Sequence, residues 1–138
     1  MTTMAADFAP RVRADDVLAA ILALAERASG KHLEVRAHDS NLQKIFRDLV
    51  KRFDYLRPHF VFSDSGPELY SPTLNESFAR LQLAGLIGRQ NPDYEVMFLR
   101  PAAMEYYSQM LEPKLDAEAK KALDEIAKAF VQSISINR

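Results

Sequence analysis

The sequence predicts a mainly α fold with a small β-hairpin. Three segments carry apolar residues at the three- and four-residue steps of a helix, and a glycine after the third leads into two short extended stretches around a turn signal. A long amphipathic segment then closes the chain. The 138 residues, 48% of them hydrophobic, suffice for a single domain, 1-138, with a proper core.

The first helix starts at Ala14-Asp15-Asp16, where two acids suit the positive end of the helix dipole. It runs on through Val17, Leu18, Ile21, Leu22 and Ala25 and stops at Gly30. His32-Leu33-Glu34-Val35-Arg36 alternates briefly and is compatible with a short strand. Ser40 with Gln43 three residues on reads as a capping box, and Leu42, Ile45, Phe46, Leu49, Val50 and Phe53 then give the clearest helical stripe in the chain. The other face of this second helix carries Lys44, Arg47 and Lys51, with Arg52 beside them. Ser71 is a favourable N-cap and Pro72 fits the first position of a third helix. Leu74, Phe78 and Leu81 are its buried residues, and Gly85 supplies a left-handed stop. Leu86-Ile87 enters an extended segment, Asn91-Pro92-Asp93 is a turn signal, and Tyr94 to Arg100 alternates like a strand, with Tyr94, Val96 and Phe98 expected to cover the core. Pro101 ends the hairpin.

Three helices followed by a hairpin is the order of a winged helix-turn-helix, in which the third helix is the usual reading element. That assigns residues 14-101 to a winged-helix core and 102-138 to a C-terminal helical extension. After Pro113, Leu115, Ala119, Leu123, Ile126, Phe130 and Ile134 form an apolar stripe, while Lys120, Lys121, Asp124, Glu125 and Lys128 occupy the rest. If the core is complete without it, this stripe is surplus and predicts a homodimer through the C-terminal helix. The alternative is that it folds back on Leu18, Ile21 and Leu22 of the first helix.

Leu42-Gln43-Lys44-Ile45, Phe62, Gly66-Pro67, Tyr70-Ser71, Leu74, Phe78, Leu81 and Gly85-Leu86-Ile87 together resemble the pattern of Panacea-type, phage-associated GepA-like domains. The resemblance covers the middle third to half of the chain, and its most specific parts are the Leu-Gln-Lys and the Gly-Pro with Tyr-Ser. This sequence differs by inserting Glu68-Leu69 between the Gly-Pro and the Tyr-Ser. The resemblance implies a winged-helix-like fold in an antitoxin or prophage-regulator setting, and it implies no chemistry.

The residues themselves point away from catalysis. The chain has no Cys, and His32, His38 and His59 lack a second His or a carboxylate at metal-ligand spacing, so neither a metal nor a cofactor is expected. Asp15 and Asp16 are adjacent on a helix and point in different directions, which is unsuited to a shared acid-base task. Ser63-Asp64-Ser65-Gly66 lacks the G-x-S-x-G elbow of a serine nucleophile. No segment reaches the roughly 18 apolar residues of a membrane span, and the expectation is a cytoplasmic protein.

Charge gives the remaining functional hint. The formal net charge is -1, yet Lys31 to His59 holds seven basic residues against four acidic ones, a local surplus of +3. Two readings follow. In the first the chain is a DNA-binding transcriptional or antitoxin-like regulator. Thr73, Asn75, Ser77 and Arg80 on the exposed side of the third helix then meet bases or phosphates, and Lys44, Arg47, Lys51 and Arg89 neutralise phosphate. Glu68, Glu76, Asp93 and Glu95 oppose it, because they lie on or beside the same surface. In the second the chain is a protein-interaction or adaptor module whose third helix and wing face another protein. Plainer roles stand beside both: the basic stripe as the solvated side of a helix, Arg80 as the partner of Glu76, and Tyr106-Tyr107 as helix packing.

Overall fold

The computed structural model describes residues 13–36, 39–62, 70–89 and 96–136. The Ser63-Asp64-Ser65-Gly66 loop, Gly66-Pro67, the Glu68-Leu69 insertion, the Asn91-Pro92-Asp93 turn with Tyr94 and Glu95, and His38 lie outside them.

Helix α1 spans Ala14–Ser29, and every residue from Val17 to Ala25 is buried. That is more than one face of a helix, and the small alanines at 19, 20, 23 and 25 explain how neighbours approach it from all sides. Gly30, at φ 71°, ends it as expected, its N–H donating to the carbonyls of Glu26 and Arg27. Strand β1 follows at Glu34–Arg36, then α2 at Asp39–Arg52 and a short 3-10 turn at Asp54–Leu56. Helix α3 covers Pro72–Leu83, with Pro72 in its first turn and the Ser71 side chain accepting from the Leu74 N–H. It closes at Gly85, φ 80°, where the Leu86 N–H reaches the Leu81 carbonyl at 3.0 Å and the Gly85 N–H reaches that of Gln82 at 3.1 Å. This is the paired C-terminal bonding that a left-handed glycine permits.

Strands β2, Ile87–Arg89, and β3, Val96–Leu99, complete an antiparallel sheet of order β1-β3-β2. The hairpin is thus joined by a third strand, the short one at Glu34–Arg36. Its register corrects one expectation. Met97 and Leu99 are the buried pair, whereas Val96 and Phe98 are half-buried on the other face. Because strand side chains alternate, starting the count from Tyr94 placed the wrong set inward. Phe98 instead lies over Gly88, its cross-strand partner; a Cβ on Gly88 would come within 2.6 Å of the ring.

Helix α4, Pro101–Tyr106, runs into a π turn at Tyr107–Leu111 and a 3-10 turn at Glu112–Lys114, and α5 spans Ala117–Ile136. The most extensive helix packing among the described residues is α5 on α1, with further contact from α5 to α2. Leu123, Ile126 and Phe130 are wholly buried within the one chain. The surplus surface that predicted a homodimer is therefore covered by α1, because residues 14–101 do not close their own core. The α5 stripe is part of that core, as the fold-back alternative required.

Two further expectations change. The connection between α2 and α3 occupies residues 53–71, so it is no tight helix-turn-helix turn of three or four residues. Gln43, read as a capping-box partner of Ser40, is buried and turned toward Ser71. Among the described residues no helix is long and apolar enough to cross a membrane.

Candidate functional site

Helix α3 is fixed from three sides, and that decides which of its residues face outward. Leu74, Phe78 and Leu81 enter the core, where the Phe78 ring meets Phe46 edge-on with centroids 6.0 Å apart. The N-terminus is held by Gln43, whose Nε2 donates to the Ser71 carbonyl at 3.0 Å and whose Oε1 accepts the Ser71 N–H at 2.8 Å. The third anchor is Asp15 of α1. It accepts from Ser77 Oγ at 2.6 Å and from Arg80 Nε and Nη2 at 2.7 and 3.0 Å.

Asp15 therefore holds two of the residues proposed to touch DNA. Ser77 is fully buried, which corrects its placement on the exposed side of the helix, since a hydroxyl on the α1-facing side finds a carboxylate there. Arg80 is half-exposed, but its fork is spent on Asp15, with Glu76 a weaker second partner at 3.9 Å. Burial raises the Asp15 pKa and the hydrogen bonds from Arg80 and Ser77 lower it; the bonds prevail, so the carboxyl sits below its ordinary range. Asp16 points elsewhere, as adjacent helical residues must, and accepts from the Tyr106 hydroxyl at 2.7 Å. The two acids tie α1 to α3 and to α4.

The other candidates are dispersed. Asn75 is exposed and Thr73 half-buried at the start of α3. Arg89 is half-buried on β2, its Nε donating to Gln82 Oε1 at 3.2 Å, and it shares a narrow crevice with Asn75 and Gln43. Lys44 is exposed on α2. Arg47 and Lys51 line a separate groove formed by α2 and the segment after the Asp54–Leu56 turn. Seven of the eight residues thus occupy three places, the α3–β2 crevice, the Asp15 anchor, and α2 with its groove, while Thr73 stands apart in the first turn of α3.

What α3 presents outward is Pro72 at its start and then Asn75, Glu76, Ala79, Gln82 and Leu83, around the anchored Arg80. Leu83 is 88% exposed, the most exposed large apolar side chain among the described residues. Sequence reasoning passed over Leu83, which lies outside the Leu74, Phe78 and Leu81 stripe, and it left out the anchoring role of Asp15, which requires knowing that α1 crosses α3. Among the described residues no group of three or more His, Asp or Glu side chains is placed to hold a metal ion. No protein-family model matches the chain, and no curated protein or solved structure is significantly similar to it.

Proposed function

We propose that this chain is a non-enzymatic binding module of winged-helix type whose third helix engages another protein, in the manner of an antitoxin-like or adaptor domain. The winged-helix reading is supported by the element order and by β3 lying between β1 and β2, with a long 53–71 connection in place of the tight turn. The observation that carries the partner reading is the outward face of α3. Its one arginine is neutralised by Asp15, and the rest of the face is polar, acidic or apolar, with Leu83 at its end. Such a face lacks the positive field that draws phosphate and offers an apolar anchor of the kind protein interfaces use.

The DNA-regulator reading keeps one observation in its favour. Lys44, Lys51 and Arg52 are exposed on α2, and phosphate could meet them there. Titration with duplex DNA at two salt concentrations, together with a photo-crosslinking residue placed at position 83 in the cell of origin, tests both. The protein-partner reading expects no DNA binding at low salt and a discrete protein adduct from position 83, absent when the probe sits at exposed position 118. Salt-dependent DNA binding whose slope falls by roughly 0.9 on Lys44→Ala or Lys51→Ala would overturn it in favour of the regulator.

A further inference from the structure

The groove beside α2 has the composition of a ligand site. Its volume is about 460 Å³, within the range of small-molecule pockets. Arg47 and Lys51 reach it from α2 and Arg57 from the turn that follows, while Val50 and the run Phe60-Val61-Phe62 supply apolar wall. No acidic side chain among the described residues lines it. Arg57 is paired with Asp54 at 3.3 Å. Arg47 Nε is different: it is shut off from solvent without a hydrogen-bond partner among the described residues, and the Asp48 carboxylate stands 3.9 Å away. A buried guanidinium N–H with no acceptor is costly, and the Arg47 side chain, 27% exposed, borders the groove with the rest of its fork, where a carboxylate could pair with it.

Val61 is 68% exposed although it adjoins Phe60, which is fully buried. The groove is therefore a place where exposed apolar surface meets a cluster of cations, in which Arg57 and Arg47 have carboxylate neighbours and Lys51 has no ion pair among the described residues. We propose that it binds a small organic carboxylate with an apolar body, the carboxylate at Arg47 and Lys51 and the body against Val61 and Phe62. This site is distinct from the outward face of α3 and does not depend on the partner reading. The Phe60 ring packs on Phe46 with centroids 6.0 Å apart, and Phe46 touches Phe78 of α3, so a ligand here would sit two rings from that helix.

Naphthoate is a suitable probe, with naphthylmethanol as the uncharged analogue and acetate as charge without body. Amide shifts in the full chain should move at Val50, Val61 and Phe62 on saturable naphthoate addition, and both controls should bind at least about tenfold more weakly. Lys51→Gln and Arg47→Gln should each weaken naphthoate about tenfold. If Arg47→Gln fails to fold, exposed Lys51→Gln and Val61→Asp carry the test. Absence of shifts at those amides, equal affinity for naphthylmethanol, or affinity unchanged in the folded variants overturns the proposal. Amide shifts at these residues seen only with acidic peptides, without naphthoate binding, overturn it as well and make the groove a peptide site.

Discussion

Gln43 and Ser71 are joined by two hydrogen bonds, the amide of one side chain matching the N–H and carbonyl of the other residue's backbone at 2.8 and 3.0 Å. Both residues are buried, so water cannot replace either bond. The pair sets where α3 begins, because the same Ser71 caps the Leu74 N–H with its hydroxyl. It also links the two motifs that carry most of the specificity of the sequence pattern, Leu42-Gln43-Lys44 and Tyr70-Ser71.

Gln43→Met should accordingly destabilise the fold by about 1–3 kcal/mol, the cost of leaving a buried backbone donor unpaired. Ser71→Ala keeps both bonds to Gln43 and removes only the cap, about 1 kcal/mol. Urea unfolding of the two variants gives the order, and a Ser71→Ala loss equal to or larger than that of Gln43→Met contradicts the assignment.

Asp15 predicts an acid dependence with a definite sign. Its folded pKa is depressed below the ordinary 3.8 because the Arg80 and Ser77 bonds outweigh burial. The charged form is the one the fold favours, so its contribution is complete above the unfolded pKa and is lost as pH falls through the folded value. Asp15→Asn should flatten the fall in stability below pH 3.8. Ser77→Ala, which removes a buried hydroxyl bonded to that carboxylate, should cost about 1.5–3 kcal/mol near neutral pH. Melting curves across the acid range measure both, and an unchanged acid profile in Asp15→Asn rules the clamp out.

The two neighbouring tyrosines set the alkaline limit. Tyr106 is pushed up to about 12 by its hydrogen bond to Asp16 and then by burial, and Tyr107 to about 12 chiefly by burial. A folded pKa above the unfolded 10.0 means that stability is full below pH 10 and declines as pH rises toward the folded value. Spectrophotometric titration should show Tyr106 and Tyr107 ionising late, with Tyr55 also raised by burial and by Asp116, and Tyr106 moving down in Asp16→Asn. Late ionisation unaffected by Asp16→Asn removes the hydrogen bond as the cause for Tyr106.

What the sequence made legible was local. Ser71-Pro72, Gly30 and Gly85 are signals written within a few residues, and each ends or starts a helix where expected. Leu74, Phe78 and Leu81 are buried for the same reason, since a helical period needs no knowledge of the neighbours. Failures came where a residue's role depends on what another element brings to it. Gln43 has a plausible local partner in Ser40, and only the return of the chain at residue 71 offers a better one. Ser77 and Arg80 look solvent-facing until α1 supplies Asp15. The groove at Arg47 needs Phe60-Val61-Phe62, which follow a connection that no periodicity describes. The C-terminal stripe was visible in full; what it covers was not, because an apolar face looks the same whether its mate is in the same chain or another.

That last point gives the sharpest test of the fold. Phe130 is fully buried, with its ring 5.5 Å from that of Phe46, and Leu123 and Ile126 are buried beside it against α1. If α5 were an appended dimer element, a chain ending at Pro113 would remain folded and change only its mass. Because α1 is covered from Val17 to Ala25, removing α5 would instead bare the centre of the core. The shortened chain should therefore lack a cooperative melt. Phe130→Ala, which leaves the helix in place, should cost about 3–5 kcal/mol, a large share of the stability of a domain this size. Light scattering and thermal melts on the three proteins discriminate the cases. A folded, monomeric shortened chain derived from a dimeric parent would return α5 to the role of an interface, and a Phe130→Ala melt equal to the parent's would show that its ring is not packed as described.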